Sequence, residues 1–368
     1  MPFFGDFSLS YGGDLQSLLF ILRTKTMNFF TARWRRSFIV TLAAAAFSLT
    51  LISSAVAAIT LNGSGATFPK PLYDRYFSQM RSANQITVNY EATGSGAGIK
   101  ALVAGTVDFA GSDALMTAEQ IGQVKRGVIA VPTAGGAVAV IYNLPGVNNV
   151  RLNSDAMKGI FEGKITRWND AKIAGIAGQA KNLPNTAIRV AVRADSSGTT
   201  FIFANHLQAI GSSIKGVAQP SWPGSPVSGQ GNAGVAALVR QTAGAIGYVQ
   251  DTYARQNKLQ TAFIQNKKGR FVDANLAEAE KAFVGEAFPA DFRLVEGNPN
   301  DGYPIVGLTW LLIYKEYPAA KADAIKKMVT WVMTTGQGIN KQLEFTTIPS
   351  ATAQKVIQTV NQSVVAKG

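Results

Sequence analysis

Three short stretches of this chain carry residues suited to one kind of chemistry. They are Gly63-Ser64-Gly65-Ala66-Thr67-Phe68-Pro69, Gly94-Ser95-Gly96-Ala97-Gly98 and Arg193-Ala194-Asp195-Ser196-Ser197-Gly198-Thr199. Each sets Ser or Thr beside glycine where a helical pattern begins. A helix start exposes unpaired amide donors at the positive end of the helix dipole, so it binds small oxyanions, and hydroxyls add further donors. Three such starts meeting at one point would enclose a tetrahedral anion with little formal charge. A capped helix is the plainer reading of any one of them, and it stays open. Pro69 suits a first turn, where a missing amide hydrogen costs no intrahelical bond. None of the stretches fits G-x-x-x-x-G-K-[ST], and 94–98 lacks the third glycine of G-x-G-x-x-G.

Other chemical equipment is sparse. The chain has no cysteine, which excludes disulfides, thiolate zinc sites and cysteine nucleophiles together. His206 is its one histidine, so multi-histidine metal sites are excluded, and neither a metal nor another cofactor is expected. His206 falls in a helical pattern close to its apolar face, which fits a packed histidine better than a triad base. No G-x-S-x-G elbow is present. Asp108 and Asp113, in Val107-Asp108-Phe109-Ala110-Gly111-Ser112-Asp113, have no metal partner or base at a convincing spacing. Capping or loop hydrogen bonding accounts for them equally well.

Positioning these residues falls to an α/β framework. Strands are expected at 87–90, 107–110, 138–142, 188–192 and 245–249, alternating with helical patterns. The helix expected over 69–81 puts Leu72, Tyr73, Tyr76 and Met80 on one face. That over 97–104 buries Ile99, Leu102 and Val103, and that over 199–210 buries Phe203, Leu207 and Ile210. Two more helices are expected over 317–335 and 351–360. Residues 219–234, rich in Gly, Pro and Ser, read as a long loop.

Residues 33–58 read as an export signal. Arg33, Arg35 and Arg36 precede a mostly apolar run from Phe38 to Ile52, and Ala55-Val56-Ala57-Ala58 offers small residues for cleavage near 57–58. A membrane anchor is the alternative, weakened by Thr41, Ser48, Thr50, Ser53 and Ser54 within the run. Met27 is the better start of this signal, which makes residues 1–26 an upstream extension. Arg35-Arg36-Ser37-Phe38 also fits a twin-arginine pattern loosely, so the export route stays open. The whole chain carries a net +13; losing 1–58 removes five basic and two acidic residues and leaves +10. That balance favours anionic partners without choosing among them. Its Lys and Arg are scattered, with no tract resembling a nucleic-acid arm.

Taken together, the motifs resemble those of the periplasmic phosphate-binding proteins of ABC transporters, over essentially the whole chain from Ile59 to the final helix. The resemblance rests on the three stretches above, on Thr106-Val107-Asp108-Phe109 with Ser112-Asp113, and on Gly163-Lys164-Ile165 with Trp168-Asn169-Asp170. Gly231-Asn232 with Gly234-Val235-Ala236, and Gly244-Ala245-Ile246-Gly247-Tyr248-Val249, add to it. It implies an α/β, two-lobed periplasmic-binding-protein fold of type II, with mixed sheets flanked by helices and the ligand in the interlobe cleft. The lobes would comprise 59–136 with 252–368, and 137–251. By the same resemblance, Thr67 and Phe68 bind phosphate at the first helix start, Ser95 at the second, and Ser197, Gly198 and Thr199 at the third. Arg193, held by Asp195, would make a charge-assisted contact, and Asp108 would be the single acceptor facing the ligand. Ser64 and Ser196 stand where other members often have alanine or glycine, which leaves the exact donor of the Ser196-Ser197 pair open.

A lone carboxylate in such a site explains selectivity. Phosphate at neutral pH keeps a proton to donate to it, whereas sulfate has none and would meet it as one acceptor facing another. Such a contact in a dry cleft costs several kcal/mol, or about a thousandfold in affinity. The implied function is phosphate capture in the periplasm by a monomer that delivers its ligand to ABC-transporter permease subunits, without catalysis and without nucleic acid. A secreted phosphoesterase using the same pocket, and a polyanion-binding surface protein, are the alternatives.

Overall fold

The computed structural model describes residues 59–367. The expected export signal and the start at Met27 lie outside the described residues. Strands β1 (Ile59–Gly65), β2 (Ile86–Glu91) and β3 (Phe109–Ser112) alternate with helices α1 (Lys70–Asn84) and α2 (Ser95–Ala104). β1 pairs in parallel with both β2 and β3. Helix α1 buries Leu72, Tyr73, Tyr76 and Met80, the face its spacing predicts. Pro69 takes the cap position of α1 rather than its first turn, and α1 ends where Gln85 turns left-handed at φ 55°.

Strand β4 (Val128–Tyr142) is the spine of the molecule. From Val128 to Ala137 it pairs antiparallel with β8 (Val306–Tyr314), and from Val138 to Tyr142 with β7 (Ala245–Gln250). Pro132 has no amide hydrogen for a regular ladder, and the β4–β8 register shifts beside it, between Thr309 and Trp310. Beyond β7 lie β5 (Arg189–Arg193) and β6 (Val227–Gly229), all parallel. The sheet therefore runs β2-β1-β3-β8-β4-β7-β5-β6, with the short strand Gln260–Thr261 also on β4. Helices α3 (Gly198–Ala209), α4 (Gly231–Gln241) and α5 (Asp251–Gln256) follow β5, β6 and β7 in turn. No helix among the described residues is long and apolar enough to cross a membrane.

Several sequence expectations shift against this framework. β3 lies two residues later than expected, at Phe109–Ser112. β1 and β8 went unread; β8 is buried at every position, so it shows no alternation for a period-2 pattern to detect. The expected loop over 219–234 is corrected: it contains β6, ordered by parallel pairing with β5, and the start of α4. Residues 260–265 also depart from the expected division. Gln260–Thr261 pairs with Ile141 and Tyr142, and Phe263–Gln265 with Arg151–Leu152, so backbone pairing ties them to the β7 side rather than the β1 side.

Candidate functional site

Parallel pairing places the interesting residues on common edges. Gly65 lies opposite Gly111, and Ser64 opposite Glu91, so the chain leaves β1, β2 and β3 at one edge, where α1 and α2 begin. Arg193 lies opposite Gly229, and the starts of α3 and α4 follow directly. In open α/β sheets, ligands bind beyond the carboxyl ends of such strands.

The two groups of helix starts touch. The Gly198 amide, first of α3, donates to Ser95 Oγ at 3.0 Å, and the Gly96 amide donates to the Ser196 carbonyl at 2.9 Å. Thr67 Oγ1 accepts from Asn232 Nδ2 at 2.8 Å, and the same amide group donates to Thr199 Oγ1 at 3.0 Å. Arg193 Nη1 approaches Thr199 Oγ1 at 3.4 Å. Thr67, Phe68, Ser95, Arg193, Ser197, Gly198 and Thr199 are therefore gathered around the helix starts, and all are buried. Ser197 caps α3, its Oγ accepting from the Thr200 amide at 3.1 Å, while Ser196 backs onto Gly96.

Arg193 is held rigidly. Its Nε donates to Asp195 Oδ1 at 2.8 Å, and its Nη2 pairs with Asp195 Oδ2. Asp195 Oδ1 also accepts from the Gly231 amide at 3.0 Å. Burial alone would raise the Asp195 carboxyl, but the Arg193 bond and charge, with the Gly231 amide, bring it below its ordinary value. Gly94, at φ 102°, sits where a side chain would run into the Asp195 carboxylate, so this close approach requires glycine.

The expected acceptor is corrected. Asp108 precedes β3, at the opposite end of the strand from the helix starts. Four residues of strand separate the two ends by about 13 Å. There its Oδ2 accepts from the Asn62 amide at 2.9 Å and its Oδ1 from Lys321 Nζ at 2.6 Å. Asp113, directly after β3, is the carboxylate that joins the cluster. Its amide donates to Ser95 Oγ at 3.3 Å and its Oδ1 accepts from Thr309 Oγ1 at 2.8 Å. Its Oδ2 is buried without a hydrogen-bond partner. A Cβ at Gly198 would lie 2.5 Å from both Asp113 Oδ2 and Ser95 Oγ, so all three converge on the start of α3. Burial pushes the Asp113 carboxyl up to about 7, against the lowering effects of the Thr309 bond and the Arg193 charge.

Sequence reasoning also missed Asn232 as a working residue. Its signal was the Gly231-Asn232 pair immediately after a short parallel strand. His206 is packed as expected: its Nδ1 lies 3.1 Å from the Gly297 carbonyl, and burial lowers its pKa to about 4. It does not serve Ser197, whose Oγ is engaged with the Thr200 amide. Among the described residues, no group of His, Cys, Asp and Glu could hold a metal ion.

Two sets of parallel strands, joined along one long strand and sending helix starts from both sides onto one donor-rich cluster, define a two-lobed binding protein. Residues 53–335 match the model of the PBP superfamily domain. Within that superfamily the chain belongs to the PstS family. It is 32% identical over 308 residues to the phosphate-binding protein PstS of Pasteurella multocida, covering 81% of this chain and 88% of that protein. It is 34% identical over 303 residues to that of Xylella fastidiosa (strain Temecula1), covering 79% and 82%. A high affinity periplasmic phosphate-binding protein solved with bound phosphate superposes with a TM-score of 0.71 at 22% identity, over 82% of this chain and 94% of that one, which shows the shared fold.

Proposed function

We propose that this protein binds inorganic phosphate in the periplasm and delivers it to the permease subunits of an ABC importer, acting as a monomer and without catalysis. The observation that carries this reading is the Asp113 carboxylate. One of its oxygens is buried and unpartnered within a cluster of hydroxyls, helix-start amides and one guanidinium. Donors serve any oxyanion; a single acceptor among them serves only an oxyanion that still carries a proton. Thr67, Phe68, Ser95, Ser197, Gly198 and Thr199 supply the donors, Arg193 the charge-assisted contact, and Asp195 holds Arg193 in place. Asp113 takes the acceptor role in place of Asp108.

Lobe crossings fall at Ala137–Val138, where β4 changes partner, and beyond the strand Phe263–Gln265. Thr67, Ser95 and Asp113 then belong to one lobe, and Arg193, Thr199 and Asn232 to the other. Because donors come from both, the bound ligand favours the closed arrangement. The names of the PstS relatives support the transport role, as does the export signal expected over residues 33–58. Calorimetric titration of phosphate-stripped protein at about pH 8.5, where Asp113 is ionised, tests it: one-to-one phosphate binding with no sulfate signal is expected, and a folded sample that binds no phosphate would overturn it.

A further inference from the structure

A hydroxyl can donate or accept, and it serves an anion only when it donates. At Ser95 the backbone settles the matter. Its Oγ accepts from the amides of Asp113 at 3.3 Å and Gly198 at 3.0 Å, which occupies both lone pairs and leaves its proton for a third partner. At Thr67 and Thr199 the same task falls to one side chain. Asn232 Nδ2 gives one proton to Thr67 Oγ1 and the other to Thr199 Oγ1, at 2.8 and 3.0 Å. The Asn232 backbone amide adds a second bond to Thr67 Oγ1 at 3.2 Å, and Arg193 Nη1 is the second donor to Thr199 Oγ1 at 3.4 Å. The orientation of the amide group is fixed from behind: Asn232 Oδ1 accepts from the Gln250 amide at 2.9 Å, so its NH₂ must face the threonines.

We infer that Asn232 is the positioning residue that makes Thr67 and Thr199 obligate donors, and so biases the site toward the more deprotonated form of its oxyanion. This inference rests on the oxyanion reading above. Asn232 is fully buried, with both protons of its amide committed, so it acts through the threonines rather than as a ligand. Charged and titratable groups facing this cluster are Arg193 at the end of β5, Asp195 after it, Asp113 after β3, Tyr248 on β7 and Tyr253 on α5. All of them remain in an Asn232 variant, so comparison with the parent isolates the effect on the two hydroxyls.

The test is titration with inorganic phosphate at pH 6 and pH 8.5, on either side of the second ionisation of phosphate, for the parent, Asn232→Ala, Thr67→Val and the double variant. A charge-assisted hydrogen bond of correct polarity is worth about tenfold in affinity. Asn232→Ala should therefore weaken binding about tenfold or more at pH 8.5, but only about threefold at pH 6, where a protonated phosphate can donate to a freed hydroxyl. In the Thr67→Val background the same substitution should cost severalfold less at pH 8.5, because one hydroxyl it controls is gone. An equal loss at both pH values, undiminished in the Thr67→Val background, would reduce Asn232 to a packing residue and overturn the inference. If Asn232→Ala does not fold, the isosteric Asn232→Asp, which cannot donate from that position, should lose about a hundredfold at pH 8.5; parental affinity in that variant would overturn the inference as well. A folded parent that fails to bind phosphate refutes the proposed function instead, a separate outcome.

Discussion

Asp113 links the chemistry of the site to the stability of the protein, and Asp113→Asn exposes the link. Burial lifts this carboxyl from 3.8 to about 7 in the fold. The folded protein therefore keeps the proton across a range in which the unfolded chain has released it. A raised carboxyl stabilises the fold below about pH 4, and that contribution is lost as pH rises toward about 7. A rise from 3.8 to about 7 corresponds to about 4 kcal/mol. Urea unfolding of parent and Asn variant in phosphate-free buffer from pH 4 to 8 gives the comparison. The variant should gain on the parent by about 4 kcal/mol across that range, whatever their difference at pH 4. His206, lowered to about 4, and Asp251, raised to about 6, titrate within the same range, but both are present in each protein and cancel. Parallel stability curves would refute the claim that Asp113 is buried without a full set of partners.

Substitutions at Arg193, Asp195 and Gly94 address the contact between the helix starts. Arg193→Met leaves Asp195 partly buried without its cation and should cost roughly 1–3 kcal/mol of unfolding free energy; adding Asp195→Asn should return most of it without restoring phosphate binding. Gly94→Ala forces a side chain into a glycine-only conformation against the Asp195 carboxylate. Its strain of about 1–3 kcal/mol should weaken phosphate affinity by about 10- to 100-fold, with the circular dichroism spectrum unchanged.

The helices were legible in the sequence because each packs one face against the sheet, so Leu72, Tyr73, Tyr76 and Met80 or Phe203 and Leu207 recur at helical spacing. β8 was not legible, since a strand buried at every position carries no alternation. The three oxyanion-type helix starts were read from local chemistry, which glycine and hydroxyl spacing expresses directly. Choosing between Asp108 and Asp113 required the ends of β3. Asp108 took the acceptor role from the resemblance alone, and the observed strand sets it before β3 beside Lys321, with Asp113 after β3 beside Thr309. Asn232 acts through partners as distant in sequence as Thr67, so only the assembled fold brings its two amide protons to Thr67 and Thr199.

The central claim is that one carboxylate, Asp113, selects a protonated oxyanion. Sulfate titration of the parent, Asp113→Asn and Asp108→Asn at about pH 8.5, above the raised Asp113 carboxyl, tests it most directly. Asp113→Asn should acquire measurable sulfate affinity, because its amide can donate where the carboxylate could only accept, and it should narrow the phosphate preference by about a hundredfold or more. Asp108→Asn, whose site lies beside Lys321 and Asn62, should exclude sulfate as the parent does. Sulfate binding gained by Asp108→Asn, or by neither variant, would contradict the account.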